Sequence, residues 1–201
     1  MAKRGAAAGR KQAWSWQLRI ELLGVTPTVW RRLIVPEIIM PKLHEIFQIA
    51  LGWTNSHLHE FLISGAKYAD PDPDLAEELE HIDEKNIALV KALGLDARCF
   101  DYLYDFGDSW HHVVVLEDQH PHPDVAPSLV HCSDGANACP PEDVGGVHGY
   151  AEFLEAIADS DHEDHDRYLE WVGGRFDAKG FDLDATNLSL GKIKVESSTR
   201  P

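Results

Sequence analysis

The chain has 201 residues, 44% of them hydrophobic, enough for one globular domain with a sizeable core. Its 34 acidic residues against 18 basic ones leave a net charge of −16, which excludes nucleic-acid binding through the surface as a whole. Cys99, Cys132 and Cys139 make an odd number of thiols, arguing for a reducing cytoplasm, and no run approaches the about 18 apolar residues of a membrane span.

Residues 1–13 read as a basic flexible tail, with Lys3, Arg4, Arg10 and Lys11 and no acid before Trp14. It has no apolar core, so it is not expected to be a secretory signal, and residues 1–12 are the one stretch suited to touch nucleic acid. Trp16, Leu18, Ile20 and Leu22 alternate with polar residues and predict a half-buried strand; Val29 to Val35 predicts a second. From Pro41, the apolar residues Leu43, Ile46, Phe47, Ala50 and Leu51 recur at helical spacing, with Gly52 just past the end. His57 to Ser64 reads as a third strand, Asp70 to Glu84 as an exposed acidic loop, and Asn86 to Leu95 as an apolar run of either type.

Phe100 to Glu117, FDYLYDFGDSWHHVVVLE, predicts a hairpin turning on Gly107 and Asp108. In that register Tyr104 pairs with His111 and Leu103 with His112. Phe100, Tyr102 and Tyr104 then share a core face with His111, while Asp105, Trp110 and His112 share the opposite, exposed face. Residues 121–148 are rich in Pro, Gly, Asp and His and predict a loop. Two helices follow, one carrying Tyr150, Phe153, Leu154 and Ile157, the other His165, Tyr168, Leu169 and Val172 and capped by Asp161. Residues 174–190 predict irregular structure and 191–201 a flexible tail. Together, 14–190 reads as one α+β domain. Its 14–120 core is a β-grasp-like mixed or antiparallel sheet with a packed helix, and 121–190 is a loop and helical segment.

Four groups of residues carry candidate chemistry. Asp105 lies diagonal to His112 across the hairpin, close enough for a carboxylate to orient an imidazole; on the structural reading Asp105, Asp108 and Ser109 bond turn amides while Trp110 covers the sheet edge. His57 and His59 project from one strand face, a workable bidentate metal arrangement that would become a catalytic divalent site with His111 or His112 and a nearby Asp, against the plainer reading of exposed strand-start histidines or a hydrogen-bonded pair. Cys132 and Cys139, with His131 and His148 nearby, offer a zinc-stapled loop, against the plainer reading of small buried side chains. HEDHD at 162–166 reads as an acidic helix start, and Glu142 and Asp143 lie in the rigid turn PPEDVGG.

WRRLIVP at 30–36, LGW at 51–53, SHLHEF at 56–61, YDFGDSWHH at 104–112 and CPPEDVGGVHGYAEFLEAI at 139–157 follow one another in an order that resembles the plasmid pRiA4b ORF-3-like family, over about residues 14–190. The resemblance implies an α+β fold, a cytoplasmic protein and a setting of plasmids and insertion sequences, where some members carry a resolvase-like label. It implies no catalytic residues, and no Ser flanked by arginines supports strand-exchange chemistry here. The leading expectation is a non-enzymatic accessory module of mobile-element origin. It would engage a protein, or secondarily a nucleic acid, through Asp105, Asp108, Trp110, His112, His57, His59, Glu142 and Asp143 on the hairpin and CPPED surface. The alternative is a metal-dependent hydrolase built on a His/Asp cluster, a divalent metal being the only cofactor considered.

Overall fold

The computed structural model describes residues 15–71, 80–120 and 129–195. The basic tail, most of the acidic loop and residues 121–128 lie outside them, and with them the nucleic-acid expectation for residues 1–12. Strands β1 (Ser15–Leu22) and β2 (Trp30–Pro36) precede helix α1 (Met40–Leu51). Strands β3 (His59–Ile63), β4 (Ala66–Ala69) and β5 (Ile82–Asp83) lead to the short helix α2 (Leu89–Leu93). The hairpin strands β6 (Cys99–Tyr104) and β7 (Trp110–His120) and the strand β8 (His131–Ala136) are followed by α3 (Gly146–Ala158), α4 (His165–Trp171) and α5 (Leu183–Leu190).

All eight strands form one mixed sheet in the order β5-β4-β3-β6-β7-β1-β2-β8, antiparallel throughout except for β4 against β5. The α+β class, the packed helix and the helical C-terminal segment are as the sequence predicted, in a wide sheet. Alternation in β1 is the cause of its burial pattern: Trp16, Leu18, Ile20 and Leu22 go inward while Gln17, Arg19 and Glu21 stay half-exposed. Helix α1 lays its apolar stripe on the same face, where Phe47 meets Tyr102 edge-on with ring centroids 5.2 Å apart. Each such large side chain contributes about 1.5–3 kcal/mol by leaving water. Gly52, at φ 93°, ends the helix in the left-handed conformation, its N–H donating to Gln48 O.

Several expectations need correction. The hairpin is not a two-residue turn: Tyr104 pairs with Trp110, Leu103 with His111 and Tyr102 with His112, leaving a five-residue loop. Asp105 and Ser109 both take positive φ there, and Asp105 Oδ1 accepts from the amides of Gly107 and Asp108 at 2.9 and 3.3 Å. The one-residue slip exchanges the faces. Trp110 and His112 therefore join Phe100, Tyr102 and Tyr104 in the core, at 1% and 0% exposure, and the predicted Asp105–His112 pair does not form. His111 instead reaches Asp101 on the outer face, at 2.9 Å.

The predicted irregular stretch 174–190 contains α5, whose start is capped by Asp182 accepting from Ala185 N–H at 2.9 Å. This helix covers the β8 edge, which lay within the predicted loop: Asn187 accepts from Cys132 N–H and donates to Cys132 O, at 2.8 and 2.9 Å. At the other end of the C-terminal segment, Asp164 rather than Asp161 occupies the α4 N-cap. The remaining HEDHD histidines serve the backbone: His162 Nδ1 accepts from Asp164 N–H and His165 Nδ1–H donates to Ala156 O.

Candidate functional site

Three loops meet at one end of the sheet: residues 53–58 after α1, the hairpin loop 105–109, and the turn 140–146. Backbone and side-chain bonds clamp them together. Trp53 Nε1 donates to Pro140 O at 3.0 Å, Asp105 N to Leu58 O at 2.9 Å, and Gly145 N to Asp108 Oδ2 at 3.1 Å. Gly146, at φ 69°, touches the hairpin backbone so closely that a Cβ there would stand 2.6 Å from Asp108 O. Beneath the loops Trp53 stacks on Tyr104 and Trp110, with centroids 4.9 and 6.1 Å away.

His57 stands where the loops converge. Its Nε2 is 3.1 Å from Asp143 Oδ1, 3.4 Å from Glu142 Oε2 and 3.6 Å from Asp105 Oδ2. That nitrogen is shielded from water yet makes no well-aligned hydrogen bond among the described residues. Two of the carboxylates divide their oxygens in the same way. Asp105 commits Oδ1 to the Gly107 and Asp108 amides and turns Oδ2 to His57. Glu142 commits Oε1 to Thr54 N–H at 2.7 Å and to the hydroxyls of Thr54 and Tyr104 at 3.0 and 3.1 Å, and turns Oε2, which the Tyr104 hydroxyl also reaches at 3.2 Å, to His57. Tyr104 also accepts from Ser56 N–H at 3.0 Å. Burial, reinforced by Glu142, pushes the Tyr104 phenol up to about 12, so it remains a donor to that carboxylate.

These distances fit a metal ion. Bonds of about 2.0–2.2 Å place neighbouring donor atoms about 3.0 Å apart in octahedral and about 3.5 Å in tetrahedral geometry. Donor atoms of His57, Asp105 and Asp143 all lie within 4.8 Å of one another, and no other trio of His, Cys, Asp or Glu does so among the described residues. An imidazole with carboxylates suits Zn²⁺, Mn²⁺ or Fe²⁺ better than Mg²⁺ or Ca²⁺. Asp143 leaves most of its side chain exposed, so the group is open to solvent on that side.

Of the eight residues singled out from the sequence, His57, Asp105, Glu142 and Asp143 come together, and Asp108 supports them by holding the turn. Trp110 and His112 do not belong: they are core. His112 donates Nδ1–H to Tyr102 O at 3.1 Å, and burial pushes its imidazole down to about 3. Cys132 and Cys139 form no trio of metal donors among the described residues; both thiols lie near the Arg31 guanidinium and are raised chiefly by burial.

His59 departs from the His57 side and enters a second polar group that includes His44 and Glu84, which sequence reasoning missed. Its ring stacks on His44 with centroids 3.5 Å apart and planes within 5°, and its Nε2–H donates to Glu84 Oε1 at 3.1 Å. His44 belongs to a closed ring of bonds. Gln48 donates to the Tyr102 hydroxyl at 2.9 Å, Tyr102 to His44 Nδ1 at 2.8 Å, His44 Nε2–H to Asn55 Oδ1 at 2.6 Å, and Asn55 N–H to Gln48 Oε1 at 3.0 Å. Burial, helped by His59, pushes His44 down to about 3, so it stays neutral. One signal was available: His44 and Gln48 fall one turn apart on the apolar stripe of α1.

Comparison with known proteins adds the lineage. The model of the family described as plasmid pRiA4b ORF-3-like protein matches residues 15–185. The chain belongs to the plasmid pRiA4b ORF-3-like family. Within it, this member is 41% identical over 176 residues to "Uncharacterized protein y4hQ" of Sinorhizobium fredii (strain NBRC 101917 / NGR234), covering 86% of each chain. It is also similar to the crystal structure of the "Protein of Unknown Function MM3350" from Methanosarcina mazei Go1. That match has a TM-score of 0.75 and 34% identity, covering 85% of this chain and 96% of the other. No helix of the described residues in this pRiA4b ORF-3-like chain is long and apolar enough to cross a membrane.

Proposed function

We propose that the chain is a divalent-cation-dependent hydrolase, with His57, Asp105 and Asp143 as the residues that would hold the metal. The observation that carries the reading is the shared orientation of Asp105 and Glu142. Each anchors one oxygen on backbone amides and turns the other toward His57 Nε2, Glu142 Oε2 sharing the Tyr104 hydroxyl. Such anchoring holds ligands at low reorganisation cost and is the pattern that supports metal ligands elsewhere. A divalent ion so held supplies Lewis acidity. Glu142, fixed by Tyr104 and Thr54, is placed to take a proton from water, and a negatively charged group of three carboxylates has electrostatic need of a cation.

The protein should retain Zn, Mn or Fe on purification without a His-tag, as measured by elemental analysis. Metal-dependent turnover of chromogenic ester or phosphoester substrates should vanish in Glu142→Gln. Protein with no bound metal, whose melting temperature is unmoved by added Zn²⁺ or Mn²⁺, would sink the reading.

A second reading, a cytoplasmic accessory module of plasmid or mobile-element origin that binds a protein through this same surface, is favoured by a different observation. A groove of about 420 Å³ beside Glu142 is lined by Pro140, Pro141, Val172 and Trp171, the last 46% exposed. Three free cysteines support the reducing compartment. Metal retained without turnover of any substrate class, together with a protein partner lost in Trp171→Ala, would favour this reading over hydrolysis.

A further inference from the structure

Behind His57 opens a cleft of about 580 Å³, a size typical of small-molecule sites, between the first turn of α1, residues 55–59 and residues 84–85. Glu45, His59, Asp70, Glu84 and Lys85 are among its lining residues. Glu45, already paired with Lys42, and Asp70 and Glu84 face the Lys85 ammonium, and the imidazole contributed by α1, His44, is held neutral. Field lines from acidic groups in a low-dielectric recess concentrate cations there.

Glu84 supplies the specific feature. Its side chain is 2% exposed, and Oε1 accepts from His59 Nε2–H. Oε2 is buried and accepts from nothing among the described residues. A buried carboxylate oxygen without a donor is costly, and proteins leave few of them. His59 cannot supply the second bond, because its ring is fixed by the stack on His44 and its Nε2–H is already committed. Metal binding is the weaker explanation here, since among the described residues the donor trio within 4.8 Å lies at His57, Asp105 and Asp143.

We infer that the cleft is a binding site for a small organic cation, a ligand bearing a primary ammonium or guanidinium group, with Glu84 Oε2 as the acceptor that anchors it. Asp70 adds attraction on the way in. The stacked imidazoles form a flat wall against which the ligand stem rests. The inference does not rest on the metal centre, with which the cleft shares only His57.

Putrescine and methylguanidine, with butyrate and 1,4-butanediol as anionic and neutral controls, are the probes. They are titrated into the full chain with the histidine ring resonances followed by NMR. The His44 and His59 resonances should move saturably with the two cations and not with the controls. The affinity should drop at least about tenfold in Glu84→Gln, which keeps an acceptor for His59, and persist in Asp143→Asn, which removes a metal-site carboxylate that does not line the cleft. If Glu84→Gln fails to fold, the wild-type titration decides with Asp70→Asn, which should weaken binding at the rim. Cation-insensitive His59 resonances, equal shifts with butyrate, or unchanged affinity in the foldable carboxylate variant would overturn the assignment. A wild-type chain that binds no metal but binds the cations would refute the hydrolase reading alone.

Discussion

Acidification should destabilise this fold through its buried histidines, and His112 isolates the effect. Its Nδ1–H is bonded to Tyr102 O, its other nitrogen has no partner among the described residues, and burial pushes it from 6.5 down to about 3. Between those values the unfolded chain binds a proton that the folded chain refuses. The stabilisation is therefore complete above about pH 6.5 and is lost as pH falls toward 3. One such group gives a slope approaching about 1.4 kcal/mol per pH unit, or about 2–3 kcal/mol between pH 6 and 4. His44, lowered by burial beside His59, acts in the same direction. Urea unfolding followed by tryptophan fluorescence at pH 7, 6, 5 and 4 measures the slope. His112→Gln should be less stable at pH 7 but lose less on acidification, its slope shallower by about one proton between pH 5 and 4. Equal slopes in wild type and variant would refute the reasoning.

Tyr104→Phe removes the hydroxyl that serves Glu142 and Ser56 N–H, and should lower metal-dependent turnover about 10- to 100-fold with metal affinity kept, at a stability cost of about 1–3 kcal/mol read by chemical denaturation. Gly146→Ala places a Cβ 2.6 Å from Asp108 O at positive φ, so chemical denaturation should show a loss of about 1–3 kcal/mol, with the hairpin and CPPED turn separating. Asn187→Ala strips β8 of both bonds to Cys132 and should cost about 1–3 kcal/mol, with hydrogen exchange accelerating first at Cys132.

The parts of this fold legible in the sequence are those whose signal is local. Period-two burial marks β1, and the stripe from Leu43 to Leu51 with Pro41 and Gly52 marks α1. The hairpin was visible as a hairpin, but its Gly-Asp pair suggested a two-residue turn. The actual loop depends on Asp105 adopting positive φ and bonding the next amides, which a period of two does not encode, and one residue of slip exchanged core for surface at His112. Strand β8, HCSDGA, carries no apolar alternation. It is held by Asn187 and by Arg31, whose guanidinium donates to Ala136 O and Asn137 O, so its cause lies in distant segments. The candidate site shows the same division. His57, Asp105, Glu142 and Asp143 were each conspicuous by residue type and turn context, but their convergence across three loops is a consequence of sheet order. His44 and Glu84 were hidden, one inside an apolar helix pattern and the other at the end of an acid-rich stretch of sequence.

Calorimetric titration of Zn²⁺ or Mn²⁺ into the untagged chain, beside Asp105→Asn, tests the central claim most directly. Asparagine tolerates the left-handed backbone at this position and keeps an oxygen for the Gly107 and Asp108 amides, so the loop is preserved while the charge facing His57 is removed. The account predicts one ion per wild-type chain and an affinity at least about tenfold weaker in the variant. No saturable binding to the wild type, or equal binding by both proteins, would contradict it.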